Sequence, residues 1–283
     1  MFYSHLLSPV TIGNVTLKNR ISSPDASLHL LQGPETFPAD GYRAWVIQMA
    51  KSCAYMVMSP WSNPTQRTVG MADSVRMQNF DMDDPSVSNY FSKMCDDIHF
   101  YGSKILISTI PFRLPWPDGY NLDGQGGMFL PGQPVEPKKA LPAERMGELV
   151  ENYVRYVENY KTFGYDGVSL NISMLIGKNR NHRTDQYGCD TPEHAAQLPK
   201  LLFTAIKERL GRDFITEAYV YGEMDHIYTK EFMAAVIKEL EDVVDIVSIK
   251  EKDAAANHPT GFQFTKGHHP CFGYAKAIRD TGA

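Results

Sequence analysis

The sequence predicts an α/β fold in which helices cover a parallel sheet. Short β-rich runs alternate with longer amphipathic segments, the pattern typical of successive strand–helix units. Six such units can be counted along the chain. With 283 residues, of which 43% are hydrophobic, the chain can bury a sizeable core. We expect one domain over residues 1–283.

Each predicted element has local signals. The strands are β-rich runs placed between turn residues, in the order Arg20–Ser23, Ala54–Met58, Lys104–Ile110, Gly167–Asn171, Phe214–Val220 and Val244–Ile249. The helices have apolar residues three and four positions apart, as in Met146–Phe163, Glu193–Leu210 and Thr229–Leu240. Pro142 and Ala143 suit a helix start, and Gly211 suits a helix stop.

The fourth strand leads into the densest polar chemistry of the chain. Gly164 ends the preceding helix, and Asp166 and Gly167 make the turn into the strand. After Asn171 the chain enters a predicted loop rich in Asn, Arg, His and Asp. Because α/β enzymes place their sites at the carboxyl ends of strands, we expect Asn171 to lie in a site.

The segment Pro111–Pro137 interrupts the strand–helix rhythm. It holds six prolines and five glycines, which makes it too long and too rich in turns for a simple connector. Since it follows the third strand, it would lie over the carboxyl ends of the strands and could cover a substrate. A decorative insertion is the alternative.

Composition excludes several classes of partner. A net charge of −5 disfavours nucleic acid. No apolar run approaches the roughly 20 residues that span a bilayer, and the first residues lack a leader pattern, so we expect a cytoplasmic protein. The four cysteines form no CxxC pair, and His258, His268, His269 and Cys271 lack a dependable ligand spacing. We therefore predict no metal site.

Several ordered motifs run almost from end to end of the chain. They are Leu6–Pro9, Leu17–Ile21, Ile98–Ile105, Phe163–Val168 and Asn181–Gly188. Together they resemble the flavin-dependent old yellow enzyme family, particularly its bacterial branch related to 2-enoate reductase. The most specific is Asn181–Gly188, which follows the family pattern Asn-x-Arg-Thr-Asp-x-Tyr-Gly.

The resemblance implies a TIM-type (β/α)₈ barrel with FMN across the carboxyl ends of its strands. It also implies an ene-reductase activity, in which hydride from NADH or NADPH reduces an activated C=C bond of a small molecule. Only the first six βα units are expected in this chain, with strands seven and eight absent.

The resemblance also implies roles for particular residues. Pro24, Ala26, Ser59 and Ser108 are expected to bind the flavin, with Ser108 standing where the family has a Gln. Asn171 is the expected catalytic residue, since it can hold the substrate carbonyl.

Other positions depart from the family pattern. Met174 aligns with the second carbonyl donor, and a thioether cannot donate. The Tyr that protonates the substrate falls in a gap, so the proton must come from water or an unassigned side chain. Ala218 aligns with an Arg that stabilises reduced flavin.

Two alternative functions remain open. The first is a catalytically silent partial barrel whose open strand edges are covered by another copy or by a partner subunit. The second is an aldolase-like enzyme with Lys250 as a Schiff-base residue at a strand end. Glu251 and Lys252 argue against the second, because they suggest a solvated turn. Arg183, Asp185 and Tyr187 are interpreted as a structural lock for their loop.

Overall fold

The computed structural model of the chain describes ten segments. They are residues 3–23, 31–32, 37–38, 40–58, 85–109, 114–122, 139–179, 183–221, 228–250 and 271–282. Three predicted flavin-binding residues, Pro24, Ala26 and Ser59, lie outside the described residues, as does most of Pro111–Pro137.

The described segments contain both short and long elements. The strands are β1 (Val10–Ile12), β2 (Val15–Leu17), β3 (Ser22–Ser23), β4 (Leu31–Gln32), β5 (Phe37–Pro38), β6 (Tyr55–Met58), β7 (Lys104–Thr109), β8 (Tyr120–Asn121), β9 (Lys139–Ala140), β10 (Gly167–Asn171), β11 (Ile215–Tyr221) and β12 (Ile246–Lys250). The helices are α1 (Ser4–Leu7), α2 (Asp40–Ser52), α3 (Pro85–Phe100), α4 (Met146–Thr162), α5 (Ile172–Asn179), α6 (Pro192–Leu210), α7 (Lys230–Lys238) and α8 (Cys271–Asp280). A 3₁₀ turn, Ala143–Arg145, precedes α4.

Six strands form one sheet in the order β12-β11-β10-β7-β6-β3. Within this sheet, each strand therefore lies beside the sheet strand that precedes it along the chain, as in a (β/α) barrel. β3 pairs with β6, β6 with β7, and β11 with β12, all parallel. The predicted partial α/β barrel is confirmed. β1 and β2 form an antiparallel hairpin at the amino end.

All six predicted strands are present, with bounds that differ by one or two residues at most ends. The three predicted helices are present as α4, α6 and α7. Gly164 and Gly211 follow α4 and α6 with φ angles of +102° and +92°, which favour glycine over any side chain. One prediction was wrong: the residues directly after Asn171 form helix α5 and not a loop.

The chain divides into two compact units. Unit 1 comprises Met1–Thr109, Asn152–Ser169 and Glu208–Ile215, and unit 2 comprises Ile110–Glu151, Leu170–Lys207 and Thr216–Ala283. Each has its own buried apolar residues, for example Phe91 and Ile105 in unit 1, and Phe203 and Ile237 in unit 2. One domain over residues 1–283 stays a prediction.

A polar network in unit 1 joins the starts of β7 and β10. Asp166 accepts hydrogen bonds from His99 Nε2 at 2.7 Å, Lys104 Nζ at 2.8 Å and the Ile105 N–H at 3.0 Å. Burial of the Asp166 carboxyl opposes ionisation, but the bonds from His99 and Lys104 outweigh it, and the pKa of Asp166 is lowered. This network fixes the amino end of β10, so it is structural.

Candidate active site

The two faces of β11 and β12 have different surroundings. A cavity of about 370 Å³ lies against α7, α8 and β12. It is lined by Ile237, Glu241, Val244, Asp245, Val247, Ile249, Ala275, Ile278 and Arg279. Val247 and Ile249 therefore face the helices. Because side chains alternate along a strand, Ser248 faces the opposite side.

The strand register extends this assignment to β11. Ala218 and Val220 pair with Val247 and Ile249, and they share the helix-facing side. Tyr219 pairs with Ser248 on the other side. Glu217, Tyr219 and Tyr221 therefore occupy the face of β11 that points away from the helices. In a (β/α) barrel this face points inward, and its residues at the carboxyl end of the strand adjoin the site.

Asn171 is the last residue of β10 and is 3% exposed. Its Oδ1 accepts a hydrogen bond from the Met174 N–H at 2.9 Å, so Asn171 is the N-cap of α5. The cap occupies the amide oxygen and leaves the two N–H groups of Nδ2 as the chemically distinct part of the side chain. The predicted role of Asn171 requires these N–H groups as donors, and that role stays a prediction.

Ser173 connects the first turn of α5 to the end of β11. It is fully buried, and its Oγ accepts hydrogen bonds from the Tyr221 N–H at 2.7 Å and from Tyr228 Oη at 2.6 Å. Tyr228 Oη also lies 3.3 Å from the Tyr221 carbonyl oxygen. Burial raises the pKa of Tyr228 well above its ordinary value, so this hydroxyl stays protonated.

On β11 the face that points away from the helices carries a buried acid. Glu217 is 1% exposed and accepts a hydrogen bond from Ser248 Oγ. Ala218, which aligns with the family's Arg, is buried on the helix-facing side. Beyond Glu217 the rings of Tyr219 and Tyr221 meet edge to face, with centroids 5.4 Å apart. The side chains here are a carboxyl group and two phenols.

In unit 1, Ser108 occupies the expected position near the end of β7. Its neighbour Thr109 lies 2.9 Å from Tyr153 Oη of α4 and donates to the Ser169 carbonyl oxygen at 3.0 Å. Thr109 therefore faces the helix, and Ser108 faces the opposite side of β7. Ser108 is buried, and its hydroxyl can both donate and accept. These properties fit the carbonyl and ring N–H groups along the flavin pyrimidine edge.

Several contacts hold the loop that contains Arg183, in agreement with its interpretation as a structural lock. Arg183 pairs with Asp185 and donates to the carbonyl oxygens of Leu122 at 3.0 Å and Leu141 at 2.7 Å. Tyr187 is buried, and its N–H donates to Asp185 at 3.1 Å. These contacts tie the loop to the chain around β8 and β9.

The structure says little about two further hypotheses, the Schiff-base lysine and the metal cluster. Lys250 ends β12, but its side chain is outside the described residues. The described part of the chain contains no cluster of three or more His, Cys, Asp or Glu residues able to hold a metal ion. His258, His268 and His269 lie outside that part. In the same part of the chain, every helix is too short or too polar to cross a membrane.

Sequence reasoning missed Ser173, Tyr221 and Tyr228. The alternation of Glu217, Tyr219 and Tyr221 along one strand was a usable signal, because period two places all three on one face. Tyr228 gave no such signal, since its partner Ser173 is 55 residues away.

The chain is similar to proteins of one enzyme family. The profile of the NADH:flavin oxidoreductase / NADH oxidase family matches residues 5–269. N,N-dimethylglycine/sarcosine dehydrogenase of Chromohalobacter salexigens is 24% identical over 80% of the chain and 33% of that protein. NADPH dehydrogenase of Listeria monocytogenes is 23% identical over 85% of the chain and 73% of that protein.

Solved structures share the fold. The old yellow enzyme homologue of Zymomonas mobilis superimposes with a TM-score of 0.65 at 17% identity, over 87% of this chain and 73% of that one. Among the curated relatives, the first three that match are longer proteins, and this chain spans about a third of their length.

Proposed function

Because this chain belongs to the NADH:flavin oxidoreductase / NADH oxidase family, we propose that it is an FMN-dependent oxidoreductase of old yellow enzyme type. It reduces an activated C=C bond of a small molecule with hydride from NADH or NADPH. The observation that carries the proposal is Asn171, a buried amide at the carboxyl end of β10 whose oxygen is used by the α5 cap.

Asn171 polarises the substrate. Its Nδ2 donates to the carbonyl oxygen next to the double bond, where negative charge builds as hydride adds. The amino end of α5 adds a favourable partial positive charge. A second side-chain donor at Met174 is not required for this role, although its absence weakens the stabilisation.

FMN supplies the hydride-transfer chemistry when it is bound. Of this chain's residues, the Ser108 hydroxyl supports binding, since it can satisfy a carbonyl or N–H of the flavin edge. Pro24, Ala26 and Ser59 are proposed to border the same group. The NADPH dehydrogenase relative supports a nicotinamide donor.

The first test is an absorbance spectrum of the purified protein between about 350 and 500 nm after addition of FMN and removal of the unbound portion. We expect a retained flavin band that bleaches with NADH or NADPH and recovers with an α,β-unsaturated ketone. A colourless protein, or a band that neither nucleotide bleaches, contradicts the proposal. Sarcosine and N,N-dimethylglycine are included as donors because of the dehydrogenase relative.

Asn171→Asp is the matched variant. Asp is as good an N-cap as Asn, so α5 is kept. The carboxylate has no N–H to donate and repels the developing charge, so alkene reduction falls by about 100-fold or more while nucleotide bleaching stays. Equal alkene reduction by both proteins contradicts the role of Asn171.

A second proposal concerns partners. Within the described sheet, β3 and β12 are the outermost strands, and outer edges invite pairing. We infer that another copy or a partner subunit covers them, and light scattering that shows a well-behaved monomer overturns this.

We also infer a cytoplasmic location, since Cys53, Cys95 and Cys189 are buried free thiols, as in reducing compartments. Cell fractionation tests the location.

A further inference from the structure

We propose that Tyr221 is the proton donor of the reaction, held in place by Ser173 and Tyr228. The inference rests on the proposed alkene reduction and adds a residue to it. Reduction of a C=C bond requires one hydride and one proton, and the family's tyrosine falls in a gap of this sequence. The structure offers a phenol on a different strand.

Position is the first argument. Tyr221 is the last residue of β11, on the face that points away from the helices. In the strand order β10 and β11 are neighbours, and Asn171 is the last residue of β10. The carboxyl ends of neighbouring parallel strands meet at one edge of the sheet. Asn171 and Tyr221 therefore end neighbouring strands at the same edge of the sheet.

The second argument is the way Tyr221 is held. The Ser173 hydroxyl accepts its N–H at 2.7 Å, and Tyr228 Oη approaches its carbonyl oxygen at 3.3 Å. Ser173 lies two residues after Asn171, so the same helical turn fixes both groups. The Tyr219 ring contacts the Tyr221 ring edge to face. Ser173 and Tyr228 thus hold the backbone of Tyr221, and Tyr219 contacts its ring. A proton donor needs such preorganisation.

Exposure separates Tyr221 from Tyr228. Tyr221 is half-buried, so part of this residue is accessible to a ligand. Tyr228 is 5% exposed, and its hydroxyl is occupied by Ser173 and the Tyr221 carbonyl. Tyr228 and Ser173 are accordingly positioning residues, and Tyr221 is the catalytic residue.

The step balances as follows. Hydride adds to the alkene carbon farther from the carbonyl, and the π electrons move onto the nearer carbon and the carbonyl oxygen, which accepts from Asn171. The nearer carbon then forms a C–H bond with the Tyr221 hydroxyl proton, and the O–H bond breaks. Water returns a proton to the phenolate. The nicotinamide is the reductant, and the alkene is reduced.

The test compares two electron acceptors on the FMN-loaded protein. An α,β-unsaturated ketone needs a proton on carbon, whereas ferricyanide accepts electrons without forming a C–H bond. In Tyr221→Phe we expect ketone reduction to fall about 100-fold or more, with ferricyanide reduction changed by less than about twofold. An unchanged ketone rate, or an equal fall with both acceptors, overturns the proposal.

Two more variants test the holding contacts. In Ser173→Ala the phenol is present but loosely held, so ketone reduction falls by about 10-fold and ferricyanide reduction does not. Tyr153→Phe is the matched control, because it removes another buried, hydrogen-bonded phenol on the helix-facing side. We expect Tyr153→Phe to reduce the ketone and ferricyanide at the wild-type rates. A ketone-specific fall in Tyr153→Phe, or none in Ser173→Ala, contradicts the assignment. Failure of NADH and NADPH to bleach the wild-type flavin counts against the proposed function instead.

Discussion

Gly167 is the residue at which a single added methyl group should be most revealing. It is the first residue of β10, and it lies against Ile215 at the start of β11. A Cβ built on Gly167 meets the Ile215 carbonyl oxygen at far less than van der Waals distance, and it meets Ile215 Cβ at 2.7 Å. Neither atom is the end of a flexible side chain. The Gly167→Ala variant must therefore move one strand away from the other.

The expected cost follows from two opposing effects. Inserting a methyl group into a tightly packed site costs about 1–3 kcal/mol. Loss of glycine freedom in the unfolded chain returns about 0.4–1 kcal/mol. We expect a net loss of about 1–2 kcal/mol in the free energy of unfolding, because a backbone carbonyl yields less readily than a side chain.

Urea unfolding of wild type, Gly167→Ala and Gly147→Ala measures this. Gly147 lies in the first turn of α4, and a Cβ there has no neighbour within 4 Å. Gly147→Ala should gain about 0.4–1 kcal/mol by the helix preference of Ala and the stiffer unfolded chain. If Gly167→Ala is as stable as Gly147→Ala, the close approach of β10 and β11 is refuted.

Two other predictions concern charged groups. The pKa of Asp166 is lowered in the folded protein, so its stabilising contribution is complete above the unfolded pKa of about 3.9 and is lost as pH falls through the folded value. The Asp166→Asn variant should lose about 1.5–3 kcal/mol of the free energy of unfolding at pH 7. Its urea midpoint should also fall less between pH 5 and pH 2 than that of the wild type. If the midpoint of the variant falls as much as that of the wild type over this pH range, the prediction is contradicted. In Arg183→Lys the lysine cannot reproduce the hydrogen bonds to Asp185, Leu122 and Leu141. Limited proteolysis should therefore cut the variant near residues 122 and 183 faster than the wild type. Equal cutting rates would contradict the structural lock.

Much of the fold could be read from local patterns. The strand Gly167–Asn171 was predicted with its bounds as observed, because a glycine turn, a buried run and a polar end coincide. The helix stops at Gly164 and Gly211 were readable for the same reason, since a positive φ favours glycine. Helix α5 was missed because Asn171 and the polar residues that follow suggest a loop by composition, whereas the Asn171 cap starts a helix.

The site was only partly readable. Asn171 is predicted from its place at the end of a strand and Ser108 from the family resemblance, and both roles stay predictions. The family resemblance aligns Ala218 with an expected Arg, and the register with Val247 puts Ala218 on the helix-facing side of β11. Alignment assigns positions along a strand, whereas the side chain's face depends on the register with its neighbour.

Local patterns in the sequence are enough to predict the six strand–helix units, their parallel order and the family, because strand and helix periods, turn residues and motifs are local properties of the chain. Which strand-end groups meet depends on the folded structure. Ser173 joins Tyr221 and Tyr228 across separations of 48 and 55 residues. Such contacts follow from strand register and the packing of α5 against β11, which no local segment encodes, since they exist only after the sheet has formed.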